Sequence, residues 1–327
     1  MTDTWLFALG FAAGLALIFL GADAVVRGSA ALARSFQVSP FTVGLTIVAF
    51  GGSVPELAIG AIAAARGHGP LAIGNVVGSN IANLAFILGL CATLRSVPVR
   101  RRLFSREIPF MVGSAMALAV VVLDQRVGRA EGALLLAAFA GFLWHVLALA
   151  RREPSEVEGA YERAVVEIER EAGPPDRRTR AAASVALGAG GLFLGAQLLV
   201  AVAAYLAERL GVSESVVGVT VVALGTSLPE LVTSLVAVLR RQADLALGNI
   251  IGSNVFNVFA ILGLASLIRP LDLDAALLRL EVPFLVVLSI VFLPLASTSA
   301  RIERWEGALL VLAHAAFVWL VILRIAG

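Results

Sequence analysis

Apolar windows long enough to cross a bilayer follow one another along almost the whole chain, and they leave few folds open. About 20 apolar residues cover a hydrocarbon core of roughly 30 Å. Hydropathy places such windows near 5–26, 39–65, 70–94, 107–124, 130–150, 181–207, 213–239, 244–268, 280–297 and 305–325. Only 15% of the 327 residues are charged, where a soluble domain carries nearer a quarter. Backbone groups inside lipid must bond within their own segment, which makes each window a helix. The expected fold is an all-α polytopic membrane protein with ten transmembrane helices. One polar stretch interrupts them, residues 151–180, "RREPSEVEGAYERAVVEIEREAGPPDRRTR". It reads as a linker carrying a short surface helix. The opening "MTDTWLFALGFAAGLALIFLGADAVV" has neither a basic region nor a small-residue cleavage site, so it reads as the first span and not as a removable signal.

All 25 basic residues are arginines. Counted loop by loop, 18 of them fall on the side that holds the 151–180 linker. The positive-inside bias makes that side cytoplasmic and puts both termini outside the cytoplasm. A single cysteine, Cys91, excludes an internal disulfide and a cysteine cluster. His68, His145 and His314 are scattered without metal-ligand spacing and read as packing or interfacial residues.

The chain repeats itself. "GLTIVAFGGSVPEL" (44–57) lies over "GVTVVALGTSLPEL" (218–231) with nine of fourteen positions identical. "GNVVGSNIANLAFILGL" (74–90) lies over "GNIIGSNVFNVFAILGL" (248–264) with ten of seventeen identical. The offset is 174 throughout, and shared hydrophobicity alone would not keep glycines, asparagines and acids in gapless register. Residues 1–150 and 181–327 are then two five-helix repeats, with their motifs at 44–90 and 218–264. Five is odd, so the second copy enters the membrane with opposite polarity. Inverted repeats of this kind are a plan of secondary transporters, which bind substrate near the midplane.

Each motif carries a glutamate in mid-window, Glu56 and Glu230. A charged side chain there costs about 2.5–3.5 kcal/mol on insertion scales. Two such acids meeting across the repeat axis repel unless protonated or neutralised by cations. Other oxygens share their helical faces: Ser53 lies three before Glu56, and Ser227 three before Glu230. Ser79 and Asn83 are four apart, as are Ser253 and Asn257. Gly51, Gly52, Gly74, Gly78 and their counterparts, with Pro55 and Pro229, are expected to loosen the helices and free carbonyls there. The donor set is all hard oxygen, which suits Ca2+ or a group of Na+ ions. Transition metals would recruit histidine or cysteine.

These motifs resemble the paired α-repeats of the cation/calcium antiporter superfamily, which includes the sodium/calcium exchangers. "GTSLPEL" with "GNIIGSNVFN" is a close match, "GGSVPEL" with "GNVVGSNIAN" nearly as close, and the resemblance spans all ten windows. It implies Ca2+/Na+ antiport in the cell inner membrane, with the transported ions and the bilayer as the only partners. It implies no cofactor, no enzymatic reaction, no nucleic acid and no obligate protein partner. By that resemblance Glu56 and Glu230 are the principal Ca2+ ligands, shared with Na+. Ser53, Ser79, Ser227 and Ser253 serve flanking Na+ sites with the carbonyls of Ala49 and Ala223. Gly52 and Thr226 lend backbone oxygens to Ca2+, and Asn83 and Asn257 line the middle. Two positions depart from the pattern. Gly52 stands where the family usually has threonine, and Asn257 where many relatives carry aspartate, which leaves two acids in place of three.

Other readings of the same residues are weaker. A serine in a helix often bonds a carbonyl one turn back, but these serines recur in register. Asn80 and Asn254 lie off the Ser79–Asn83 face and are expected to bond across helices. Asp23, four residues before Arg27, is expected to form a local ion pair; Glu107 and Glu281 read as helix N-terminal acids. Among functions, Ca2+/H+ exchange through the same glutamates is the runner-up. A serine hydrolase built on "GGSVPE" would need a base within reach, and no histidine falls in a motif-bearing window. A passive channel suits two buried acids in an inverted repeat less well than alternating access does.

Overall fold

The computed structural model describes residues 2–36, 38–150, 177–209, 226–273, 275–298 and 300–326. The linker residues 151–176, the first part of the 213–239 window and Ala223 lie outside them. Among the described residues seven helices are long and apolar enough to cross a membrane, and one bent pair adds an eighth. Two shorter apolar helices, Glu107–Val121 and Leu228–Leu239, occupy two more of the ten expected windows. The fold is therefore the all-helical membrane type.

In the first half the helices are α1 (Thr2–Ser35), α2 (Pro40–Gly52), α3 (Val54–Arg66), α4 (Gly69–Leu94), α5 (Glu107–Val121) and α6 (Arg129–Ala150). In the second they are α7 (Arg177–Arg209), α8 (Leu228–Leu239), α9 (Ala243–Ile268), α10 (Glu281–Thr298) and α11 (Arg304–Ala326). Four two-residue strands join them: β1 (Val97–Pro98), β2 (Arg126–Val127), β3 (Leu271–Asp272) and β4 (Arg301–Ile302).

Local chemistry sets the helix ends. The Ser39 hydroxyl accepts the Thr42 N–H at 3.1 Å ahead of Pro40, which opens α2. Gly67, left-handed at φ 83°, closes α3 with its N–H on the Ala64 carbonyl. Arg241, 174 residues later, closes α8 in the same way at φ 61°, with its N–H on Val238. The stop is inherited even where the glycine is not.

The helices are interrupted in two different ways. α2 and α3 meet at 47° around Ser53, just ahead of Pro55, which has no N–H to continue the ladder. Ser227 takes nearly the same backbone angles ahead of Pro229. α4 and α9 are not broken at their glycines, contrary to expectation. Each runs as regular helix past them and then widens into a π-helical turn, at Ala82–Ile87 and Asn257–Leu262. Gly248 and Gly252 serve approach instead, because a Cβ on either would strike a carbonyl of α2, Phe41 or Leu45.

α4 and α9 form the centre, with 78% and 89% of their spans buried against 17% for α6 and 22% for α11. The halves interlock around them. Gly307 of α11 sits on Gly89 of α4, so that a Cβ there would lie 2.6 Å from the Gly89 carbonyl. Gly263 of α9 and Gly132 of α6 repeat the contact. α1 lies along α7 through Gly21, Gly188 and Gly195, each facing backbone of the other helix. Small residues allow such approaches, which is how helices gain van der Waals contact inside lipid.

The strands also cross between halves: β1 pairs with β4, and β2 with β3. The 18 residues of α10 separate β3 from β4, a rise of about 27 Å. β1 and β3, equivalent by the 174 offset, therefore lie at opposite ends of the helical body.

Gly307→Val should lower the melting temperature in detergent, since overpacking a tight contact costs about 1–3 kcal/mol. Gly113→Val should leave it unchanged, because a Cβ there meets nothing within 4 Å. Equal melting of the two variants would contradict the packing described.

Candidate cation site

α3 and α8 bring both glutamates into the protein core. Glu56 and Glu230 are 1% and 2% exposed, each in the first turn of its half-helix, α3 and α8. That is the positive end of a helix dipole, and it favours a carboxylate. Ser53 and Ser227 hold the cap positions, yet neither hydroxyl caps its own helix. Both reach across instead. Ser53 Oγ donates to Glu230 Oε1 at 2.9 Å, and Ser227 Oγ donates to Glu56 Oε1 at 3.3 Å. The shared helical face predicted for each serine and its own glutamate is thus not how they bond; each serine serves the acid of the other half.

The rest of the site gathers around this exchange. Ser79 Oγ lies 3.4 Å from Ser227 Oγ, and the Thr226 side chain also bonds the Glu56 carboxylate. Gly52 offers no matching hydroxyl to Glu230; a Cβ there would stand 3.2 Å from the Glu230 carboxyl carbon. Ala49 is buried against Gly252, next to Ser253 in α9. Asn83 and Asn257 are each 1% exposed, within the widened turns of α4 and α9. The structure therefore draws together Glu56, Glu230, Ser53, Ser227, Ser79 and Thr226 through bonds. Ala223 lies outside the described residues.

Five oxygens of the predicted site residues are buried without a hydrogen-bond partner: Glu56 Oε2, Glu230 Oε2, Ser253 Oγ, Asn83 Oδ1 and Asn257 Oδ1. A buried unpaired polar atom costs about 1–3 kcal/mol, more when charged. Native structures keep such groups where strain, chemistry, bound water or an ion accounts for them. Among the described residues no arginine reaches either glutamate. Arg27 and Arg240 pair with Asp23, Arg100 with Asp244, and Arg324 grips Glu281 at 2.7 and 2.8 Å. The expected Asp23–Arg27 pair is present, extended by Arg240 just past the end of α8. Glu107 and Glu281 open α5 and α10 as expected.

Two supporting residues escaped the reading of the sequence. Asn75 donates to the Glu56 carbonyl at 3.2 Å, and Asn249 to the Glu230 carbonyl at 3.5 Å and Ser234 Oγ at 2.9 Å. They hold the first turn of each half-helix against α4 and α9. Their signal was available: both follow their acid by nineteen residues, in the aligned Gly-Asn pairs.

Site and fold agree with what the chain is similar to. The model of the family described as sodium/calcium exchanger protein matches it twice, over residues 6–148 and 180–323. The putative antiporter CaxA of Alkalimonas amylolytica is 36% identical over 311 residues, 94% of this chain and 96% of CaxA. The sodium/calcium exchanger MaX1 of Methanosarcina acetivorans is 31% identical over 350 residues, 93% of this chain and 95% of MaX1. Among solved structures, the sodium-calcium exchanger NCX_Mj soaked with 2.5 mM Na+ and 0.1 mM Ca2+ superposes with a TM-score of 0.81. The identity there is 30%, over 96% of this chain and 97% of that one. These relatives are named for transport, not for an enzymatic reaction. The chain, a multi-pass membrane protein, belongs to the sodium/calcium exchanger family.

Proposed function

We propose that the protein is a secondary active antiporter that exchanges Ca2+ for Na+ across the cell inner membrane by alternating access. The observation that carries this reading is the pair of buried acids, each with one carboxylate oxygen tied to the opposite half and the other without a donor. Two negative charges held within coulombic reach in a lipid-embedded core call for roughly two positive ones. One Ca2+ or two Na+ supplies them, and that equivalence is what lets the two ions compete. Similarity to CaxA, MaX1 and NCX_Mj supports the antiporter class, and the inner membrane protein YrbG of Escherichia coli (strain K12), 33% identical over 316 residues, supports the location.

In this proposal Glu56 and Glu230 bind Ca2+ directly, with backbone oxygens of Gly52 and Thr226 beside them. Ser53, Ser79, Ser227 and Ser253, with the carbonyls of Ala49 and Ala223, hold Na+ in flanking sites, and Asn83 and Asn257 line the middle. Residues 1–150 and 181–327 are inverted five-helix repeats, ten spans in all, with 151–180 cytoplasmic and both termini outside. The opposite placement of β1 and β3 supports the inversion. The α1–α7 pair, peripheral and joined face to face through glycines, is the moving part; it rocks over the core once cations have neutralised both acids. No cofactor or obligate protein partner enters the cycle.

Glu56→Gln and Glu230→Gln should each abolish gradient-driven 45Ca2+ uptake by proteoliposomes while the protein remains monodisperse. Full uptake by either variant would remove these acids from the site. The coupling ion is read separately, by loading vesicles with Na+ or with protons at matched membrane potential. Na+-loaded vesicles should accumulate Ca2+ and proton-loaded ones should not. Uptake driven by protons alone would make the protein a Ca2+/H+ antiporter, and Ca2+ passage with no accumulation would make it a channel.

A further inference from the structure

Asn257 carries an amide where an acid would present oxygen whichever way it turned. An amide presents oxygen on one side and N–H on the other. Only the oxygen can bind a cation, so something must set the side. A chain of bonds across the two halves does so. The carbonyl of Asn254, in α9, is a pure acceptor, and Asn80 of α4 donates its Nδ2 to it at 3.2 Å. That bond turns Asn80 Oδ1 the other way. Oδ1 is also a pure acceptor, and Asn257 meets it with Nδ2 at 2.9 Å. Asn257 Oδ1 is thereby turned away from the chain of bonds, buried and without a donor. Each orientation follows from the one before it, starting from a backbone carbonyl that cannot flip.

The pseudo-equivalent arm is not locked. Asn254, which matches Asn80 by the 174 offset, spends its Nδ2 on the Ile250 carbonyl one turn back in its own helix, at 2.7 Å. Its Oδ1 receives no donor, where Asn80 Oδ1 receives Asn257. The lock belongs to one half of the site only.

We propose that Asn80 is a positioning residue for Ca2+: by holding the Asn257 amide it presents Asn257 Oδ1 to the ion. This rests on the reading that Asn257 lines the cation site. Partners that orient a metal ligand typically contribute 10–100-fold in affinity.

The test is a double-mutant cycle read as the Ca2+ KM and kcat of uptake by proteoliposomes, with Ca2+ titration calorimetry of the purified protein beside it. Asn80→Ala should raise the Ca2+ KM by about 10-fold or more with little change in kcat. In an Asn257→Asp background the same substitution should raise it by less than about 2-fold, because a carboxylate needs no orienting. Asn254→Ala, which leaves the locking carbonyl in place, should have no such effect on KM. Equal losses in both backgrounds, or none in either, would overturn the proposal and leave Asn80 a packing residue. Asn80→Ser, too short to bridge, carries the same expectations should the alanine variant fail to fold. Asn257→Ala separates the two levels: an unchanged Ca2+ KM there would remove Asn257 from the site itself.

Discussion

Two carboxylates buried in the centre of a membrane protein govern the rest of the architecture. Their charge is tolerable only where the surroundings supply dipoles and donors and where protons or cations offset it, and the first two have a visible origin. The dipoles come from starting a helix just before a proline in each half, so that an acid stands at a helix start. The donors come from serines of the opposite half. One oxygen of each carboxylate is left without a partner, which is the opening the proposed cation would fill. A structural ion pair would have used an arginine here, as Asp23, Asp244 and Glu281 do elsewhere in the molecule.

Crossing between halves recurs at every scale. Serine to glutamate, asparagine to asparagine, glycine to glycine and strand to strand, the principal contacts join residues well over a hundred positions apart. The site is therefore a property of the pair of repeats and not of either one. Within this near-symmetry the differences stand out. Thr226 has no hydroxyl counterpart at Gly52, Asp23 faces an arginine where its counterpart is Gln197, and only Asn80 locks its partner amide.

Hydropathy and the 174-residue register made much of this legible in the sequence. The apolar windows located the helices because the bilayer leaves the backbone few alternatives, and the proline beside each glutamate marked the break. Register alone nominated residues such as Ser53 and Ser227 that composition would have passed over. What remained hidden depends on tertiary contact. The pairing of Ser53 with Glu230 instead of Glu56 is not a local property. Neither are the widened turns that begin at Ala82 and Asn257, since no glycine or proline within them marks the change. Gly248 and Gly252 misled for a related reason: glycine marks either a break or a close approach, and one chain read alone does not distinguish them, while at Gly74 and Gly78 a Cβ would meet nothing and neither applies.

The interlocking of the halves bears on how the chain comes to be assembled during synthesis. α4 has its Gly89 face covered by α11, more than two hundred residues further along. While the ribosome is still working towards Gly307, that face and the first glutamate are already in the bilayer without their mates. The nascent first half must wait there, incomplete, in the care of lipid or of the insertion machinery, until its twin is threaded through it.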